Sequence, residues 1–394
     1  MYLRKLTFSE NEGKAIEWLI DNVHLGKINL IVGQNSSGKT RTLNAISELV
    51  EMLKGSQNIP KIHGKYKVTF ISGEEEVLLE FEYDRGMILN ESLVWKGEKV
   101  LERGSDGSGW IIYMGGKEHI SLEFGIPSNQ LASYAKRDKL QHPFLEKIRA
   151  WANNMRRFDF SGNLGKNNYA LKSVFEEDEI DYSDTRSSLV PVLQRAMEDF
   201  PDFRDHLITD MREIGYQLED AGIVQFSEKH HPAQQDRYAV FTTEEGLEKQ
   251  VTQRDMSQGM FRAFSVLVRL NRYILKGMNG CVVIDDIGEG LDFSRAKQLV
   301  QVLIAKAKAS KIQLIMSTND SFIMNAVDIE NWAVIMREGH KISLFNYENS
   351  KEIFEEFKFT GLNNFDFYAS EFFRSGFSDD EQDEQDEEQE ERGE

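Results

Sequence analysis

Three kinds of apolar spacing alternate along this chain. The first is the continuous run. Ile28 to Val32, Cys281 to Ile284 and Ile312 to Met316 each carry apolar residues at nearly every position, and each ends in small or polar residues. Such runs predict parallel strands covered on both faces, with ligand chemistry gathered at their carboxyl ends. The second is the helical stripe. Arg41 to Lys54 places Leu43, Ala45, Ile46, Leu49, Val50 and Leu53 on one side, and Asp255 to Tyr273 repeats the pattern. The third is short alternation broken by turns. Lys65 to Ser72, Glu76 to Tyr83, Met87 to Trp95, Lys99 to Arg103 and Trp110 to Met114 are separated by Gly, Asp, Ser and Glu clusters, which predicts an antiparallel meander.

The remaining segments are less regular. Leu3 to Phe8 predicts an edge strand and Ala15 to Val23 a short helix leading into the first buried strand. Pro127 to Phe160 and Ser187 to Gln225 read as helical, with an irregular insertion over Ser161 to Arg186 between them. Arg237 to Thr243 reads as a strand, and Trp332 to Met336 with Lys341 to Tyr347 as a hairpin followed by a short helical piece.

Composition narrows the class. The chain has 394 residues, 40% of them hydrophobic, which suits a globular protein of two or three lobes. No apolar run approaches the ~20 residues of a membrane span, and the amino-terminal residues lack the pattern of an export signal. With Cys281 the single cysteine, an intramolecular disulfide and a multi-thiolate zinc site are excluded, and a reducing cytoplasm is the expected location. The net charge of −19 is uneven: residues 378–394 hold eleven Asp/Glu and one Arg, so −10 sits in a low-complexity tail expected to be disordered. A body that is still acidic binds nucleic acid poorly unless a basic patch or a partner intervenes.

The candidate chemistry begins where the first buried strand ends. Gly33 to Thr40 fits the G-x-x-x-x-G-K-[ST] pattern, in which glycines let backbone N–H groups curl around a phosphate. Lys39 is placed to reach the β- and γ-phosphates and Thr40 to present its hydroxyl to Mg²⁺, at the positive end of the following helix. Asp285 closes the second buried strand and is the expected Mg²⁺ carboxylate; Asp286 stands where a base would address the attacking water, with Glu289 as a substitute. Ser257, Gln258 and Gly259 open an amphipathic helix as a second anion-binding turn. Two such turns for one nucleotide make sense if two copies face each other.

These motifs carry a resemblance. The chain resembles the ABC-type ATPase heads of the SMC-like and overcoming-lysogenisation-defect (OLD) group, especially standalone ATP-binding subunits of bacterial antiphage systems of the PARIS, AbiL or Septu type. Gly33 to Thr40 stands as Walker A, Ser257 to Arg262 as signature, Val282 to Asp286 as Walker B, Gly290 to Asp292 as D-loop and Ser317 to Asp320 as switch. The resemblance implies an α/β P-loop NTPase fold: an ABC-ATPase head with an inserted antiparallel β-meander and a helical lobe. It implies units at 1–126, 127–250, 251–345 and 346–377, before the tail.

ATP and Mg²⁺ are the implied cofactors. Gly33, Asn35, Ser36 and Ser37, with Gly38, Lys39, Thr40 and Arg41, would surround the nucleotide. Ser257, Gln258 and Gly259 would cap it from another copy. Gln130 would act as the Q-loop glutamine on Mg²⁺, beside Thr40 and Asp285. Asp286, Glu289, Asn319 and Lys39 are the expected catalytic set. Two departures imply slow turnover: Asp286 stands where the family usually has glutamate, and Asn319 where it has histidine. The resemblance implies a homodimer or higher homo-oligomer through the heads, no membrane, and a separately encoded effector, because the chain beyond the switch is too short for a nuclease domain of ~100 residues. A DNA-clamping repair ATPase and a non-hydrolysing ATP-binding scaffold are the alternatives.

Overall fold

The continuous apolar runs form the centre of a parallel sheet, because a strand with no polar face has to be covered on both sides. In the computed structural model, which describes residues 1–116, 119–136, 138–172, 180–226, 237–374 and 376, Ile28–Val32 lies between Ile312–Thr318 and Trp332–Glu338. Beyond Ile312–Thr318 come Gly280–Asp285 and then Arg156–Asp159, all parallel. Alternate residues of these strands feed two hydrophobic cores: Leu30, Val282, Ile284, Leu314 and Met316 enter one, Ile31, Cys281, Val283 and Ile315 the other.

The second of these cores is closed by the helix Lys39–Lys54, whose Leu43, Ile46 and Leu49 pack on the parallel strands while the meander covers its other side. Tyr66, on the meander strand Gly64–Ser72, donates its hydroxyl to the Ala45 carbonyl at 3.0 Å. The meander continues the same fourteen-stranded sheet through Glu75–Asp84, Met87–Trp95, Glu98–Arg103, Ser108–Tyr113 and a further strand, Ile120–Gly125. On the opposite face lie the helices Gln258–Leu275 and Phe293–Ala309, with Val190–Asp199, Phe203–Glu213 and a separate sheet built on Leu218–Phe226 and Arg237–Glu244.

Four expectations change. Tyr2–Glu10 is an interior strand, paired with both Trp18–His24 and Gly64–Ser72. Residues 18–24 form a strand rather than a helix: Trp18 and Ile20 are buried on alternate positions while Ile16 is 69% exposed, so no 3.6-residue stripe exists. The stretch to Phe160 ends in the strand Arg156–Asp159 after the helices Ala132–Ala135 and Pro143–Asn153, and the stretch to Gln225 ends in the strand Leu218–Phe226. In both, the alternation is only four to nine residues long and merges with the helical pattern before it. After the hairpin, Lys351–Lys358 and Asn364–Ala369 bury Phe354, Phe357 and Phe367 in the main core. The tail at 378–394 lies outside the described residues. No described helix is long and apolar enough to cross a membrane.

Candidate nucleotide site

The loop after Ile28–Val32 is shaped by close approaches. A Cβ at Gly33 would lie 2.6 Å from Ile335 Cγ2 and 2.9 Å from its carbonyl, and one at Gly38 would lie 2.2 Å from Ile342 Cδ1, with φ at +102°. Only glycine fits either position. Gly38 leaves the helix Lys39–Lys54 without a side-chain cap or an acidic residue in its first turn, so its first N–H groups are not taken up by a capping side chain and suit an anion. Lys39, 6% exposed, folds over this loop and donates to the carbonyls of Gly33 at 2.7 Å and Gln34 at 2.9 Å. Burial lowers its pKa, against the opposing pull of Asp286 and Asp285.

Asp285 is 2% exposed and its oxygens are shared out. Oδ1 accepts from Ser317 Oγ at 2.6 Å and Thr40 Oγ1 at 3.3 Å, and Oδ2 from Arg157 Nη2 at 3.1 Å. The hydroxyl of Thr40 against a buried carboxylate is a hard-oxygen pair suited to Mg²⁺. Asp286 adopts φ +52°, and its N–H donates to Ser317 Oγ at 3.0 Å. Its carboxyl pKa is raised by burial and then by the neighbouring Asp285, with Lys39 acting in the opposite sense. Asn319 Nδ2 donates to Asn35 Oδ1 at 3.0 Å, tying the switch strand to the phosphate loop. The loop, the two aspartates and Asn319 thus meet at the carboxyl ends of three adjacent strands, and the donor set fits a triphosphate with its magnesium.

The turn at Ser257 sits elsewhere. Ser257 caps Gln258–Leu275 by accepting from Met260 N at 3.1 Å, and Gln258 donates to Asn163 Oδ1 at 3.1 Å. A Cβ at Gly259 would lie 2.2 Å from the Gly290 carbonyl, and Arg262 donates to the Glu289 carbonyl at 2.7 Å and that of Gly162 at 3.2 Å. The helix start is therefore locked to the Glu289–Gly290 segment. Ser257 and Gln258 are exposed, and none of their described bonds reaches the phosphate loop.

Gln130 is not brought to Asp285. Its carbonyl accepts from Arg103, and Tyr134, four residues on, covers Gly55 at the far end of the helix Lys39–Lys54. That 16-residue helix separates Gly55 from the loop by roughly 24 Å. The strand beside Gly280–Asp285 is Arg156–Asp159, which puts Asp159 in register with Asp285. Accordingly, Gln130→Ala is expected to leave ATP turnover and its Mg²⁺ dependence within about twofold of wild type, as for other exposed substitutions; a turnover assay over a Mg²⁺ titration checks this.

Sequence reasoning missed three contacts. Arg157 also donates to Asn44 Oδ1 at 2.6 Å and Ser47 Oγ at 3.0 Å, joining the loop's helix to Asp285. Trp18 lies between Arg41 and Arg337, whose guanidinium carbons are 4.1 and 4.5 Å from its ring centroid. Tyr368, on the helix Asn364–Ala369, lines one cleft with Gln34, so the carboxyl-terminal helix stands beside the phosphate loop. The alternation of Arg156, Phe158 and Phe160 was the one available signal, for Arg157.

Comparison with solved structures supports this architecture. A crystal structure of an Smc head bound to the C-winged helix domain of ScpA is similar over 89% of this chain and 100% of that one, at 13% identity and a TM-score of 0.51. The SMC head domain from Thermotoga maritima shows 14% identity over 88% of this chain and 99% of that chain, with a TM-score of 0.45. An Smc head with an extended coiled coil bound to the C-terminal domain of ScpA, derived from Pyrococcus furiosus, shows 14% identity over 91% and 99%, with a TM-score of 0.48. At 13% identity the first of these likenesses is one of fold, that of an Smc head. No curated protein sequence matches. Residues 28–325, from the phosphate-loop strand through the helix after the switch, match the family described as "AAA domain, putative AbiEii toxin, Type IV TA system", and the chain belongs to that family.

Proposed function

We propose that this protein is a slow, Mg²⁺-dependent ATPase that uses nucleotide to join two copies head to head, and that the joined state controls a separately encoded effector in bacterial antiphage defence. One observation carries the reading: Lys39, Thr40, Asp285, Asp286 and Asn319 converge at the carboxyl ends of three adjacent strands, while the exposed turn at Ser257 makes no described bond to the phosphate loop of its own chain. A turn of that kind on a second copy completes the site. Bound Mg²⁺ supplies positive charge to the phosphate oxygens.

The chain's own residues supply the rest. The N–H groups of the loop and Lys39 hold the phosphates, Asp285 orients Thr40, and Asp286 takes the proton of the attacking water, with Glu289 three residues on. Asn319 positions the γ-phosphate but neither gains nor loses a proton near neutral pH. The proposed working units are 1–126, 127–250, 251–345 and 346–377. A toxin–antitoxin description for the family agrees with a second protein as partner, and the cytoplasm is the proposed setting.

Light scattering tests the assembly step. Wild type should double in mass on adding ATP and Mg²⁺, and Ser257→Arg should stay monomeric while its ATP affinity changes by no more than about threefold, since the turn is remote from its own loop. A wild-type mass that stays constant with ATP bound, or a variant that dimerises normally, overturns the reading.

A further inference from the structure

Behind the helix Gln258–Leu275, three arginines gather around a small pocket. A cavity of about 20 Å³ is lined by Arg156, Arg269 and Arg272 with Tyr182, Val192, Tyr273 and Met278. Arg269 is 6% exposed, and of its donors only Nη2 is engaged, with the Ser187 carbonyl at 3.0 Å. Its Nε and Nη1, and Nε of Arg272, have no partner among the described residues. Arg156 and Arg272 are each 8% exposed.

Among the described residues the nearby carboxylates, Asp181 and Asp184 toward Arg269 and Asp199 toward Arg272, offset this charge in part and meet none of the free N–H groups. Asp199 lies 3.6 Å from Arg272 but 2.9 Å from Lys276, with which it is shared. Asp181 accepts from Ser183 through backbone and hydroxyl, and Asp184 from the Arg186 backbone. Arg156 donates to the carbonyls of Asn153 and Met155 and lies over the Tyr273 ring at 5.6 Å, and Arg272 lies over the Tyr182 ring at 3.6 Å. Leaving N–H groups of a buried cation unmade costs about 1–3 kcal/mol for each, more for a charged group. A water in the cavity would accept two of these bonds and neutralise nothing.

We propose that this cavity binds a monatomic anion of chloride size, held by the free N–H groups of Arg269 and Arg272. The volume exceeds the ~10–15 Å³ that a single water-sized occupant needs and suits a monatomic ion better than a polyatomic one. Burial pulls the Arg269 pKa down to about 10, the electrostatic cost that a bound anion would relieve. The occupant joins the carboxyl-terminal half of Gln258–Leu275 to the first residue of Arg156–Asp159, and the next residue of that strand, Arg157, holds Asp285. The anion therefore ties the lobe that carries the signature turn to the strand beside the magnesium carboxylate.

Melting temperatures in chloride and in gluconate, at matched ionic strength and pH, test this. Gluconate is too large for the cavity. Wild type should melt about 2–4 °C higher in chloride at concentrations well above the dissociation constant, and Arg269→Met should lose that difference. A bromide-soaked wild-type crystal should show an anomalous peak beside the Arg269 guanidinium, which decides the matter even where the variant fails to fold. Equal wild-type melting in the two salts, or a bromide-soaked crystal with no peak at Arg269, overturns the proposal.

Discussion

Replacing Lys39 with alanine is expected to weaken ATP binding by about 100-fold or more while shifting the melting temperature by no more than about 3 °C. The two halves of this result have different causes. Lys39 is the one ammonium folded over the phosphate loop, and in the protein alone it bonds only the loop's own carbonyls at Gly33 and Gln34. Toward a triphosphate it exchanges these for charge-assisted bonds, each worth roughly 1.5–3 kcal/mol, and two of them account for the lost affinity.

Stability responds far less. The fold places this charge where burial already disfavours it, shown by its lowered pKa, so alanine removes a desolvation penalty together with two bonds. The glycine approaches to Ile335 and Ile342 that shape the loop are untouched by the substitution. Titration with a fluorescent ATP analogue, alongside thermal melting, checks both halves. Unchanged affinity would remove Lys39 from the phosphate site.

The sequence was most legible where one physical requirement acted alone. A strand buried on both faces has to be apolar throughout, and so Ile28–Val32, Gly280–Asp285 and Ile312–Thr318 announced themselves, with the polar residues at their ends. Legibility failed where two periods overlapped. Trp18–His24 carries too short an alternation, interrupted at Asn22 with φ +44°, to stand apart from a helical start. Arg156–Asp159 follows a helix by only two residues and hides its period in that of Pro143–Asn153.

The resemblance implied Gln130 from its place after the meander and before a helical stretch. Reading Arg156–Asp159 as helix hid Asp159, which strand register puts beside Asp285. Arg157 was missed for the same reason, since only the register of parallel strands tells which side chain stands next to a carboxylate 128 residues away. The approach of Tyr368 to the cleft beside Gln34 had no local signal at all, because it depends on how the carboxyl-terminal helices fold back.

Asp286→Asn should lower ATP hydrolysis by about 100-fold or more while retaining ATP binding, and should raise the melting temperature at neutral pH. The backbone tolerates the change, because asparagine adopts the left-handed conformation found there at φ +52° as readily as aspartate. The stability gain follows from the sign of the pKa shift. In the folded protein the Asp286 carboxyl titrates above its ordinary value of 3.8, because burial and Asp285 disfavour the anion. The neutral form is therefore the one the fold favours, and that contribution is present below the ordinary value and lost as pH rises through the raised one. Asparagine never carries that anion, so wherever the wild-type carboxyl is ionised the variant melts higher. As pH falls into and below the ordinary carboxylate range, both side chains are neutral and the difference should disappear. The same shift sets the rate profile: if Asp286 is the base, wild-type turnover declines with falling pH at values above those of an exposed carboxylate. Phosphate release measured across pH, with melting curves at each point, tests both consequences. Wild-type turnover in Asp286→Asn would move the base to Glu289, and a melting gain that persisted in acid would show that charge is not its source.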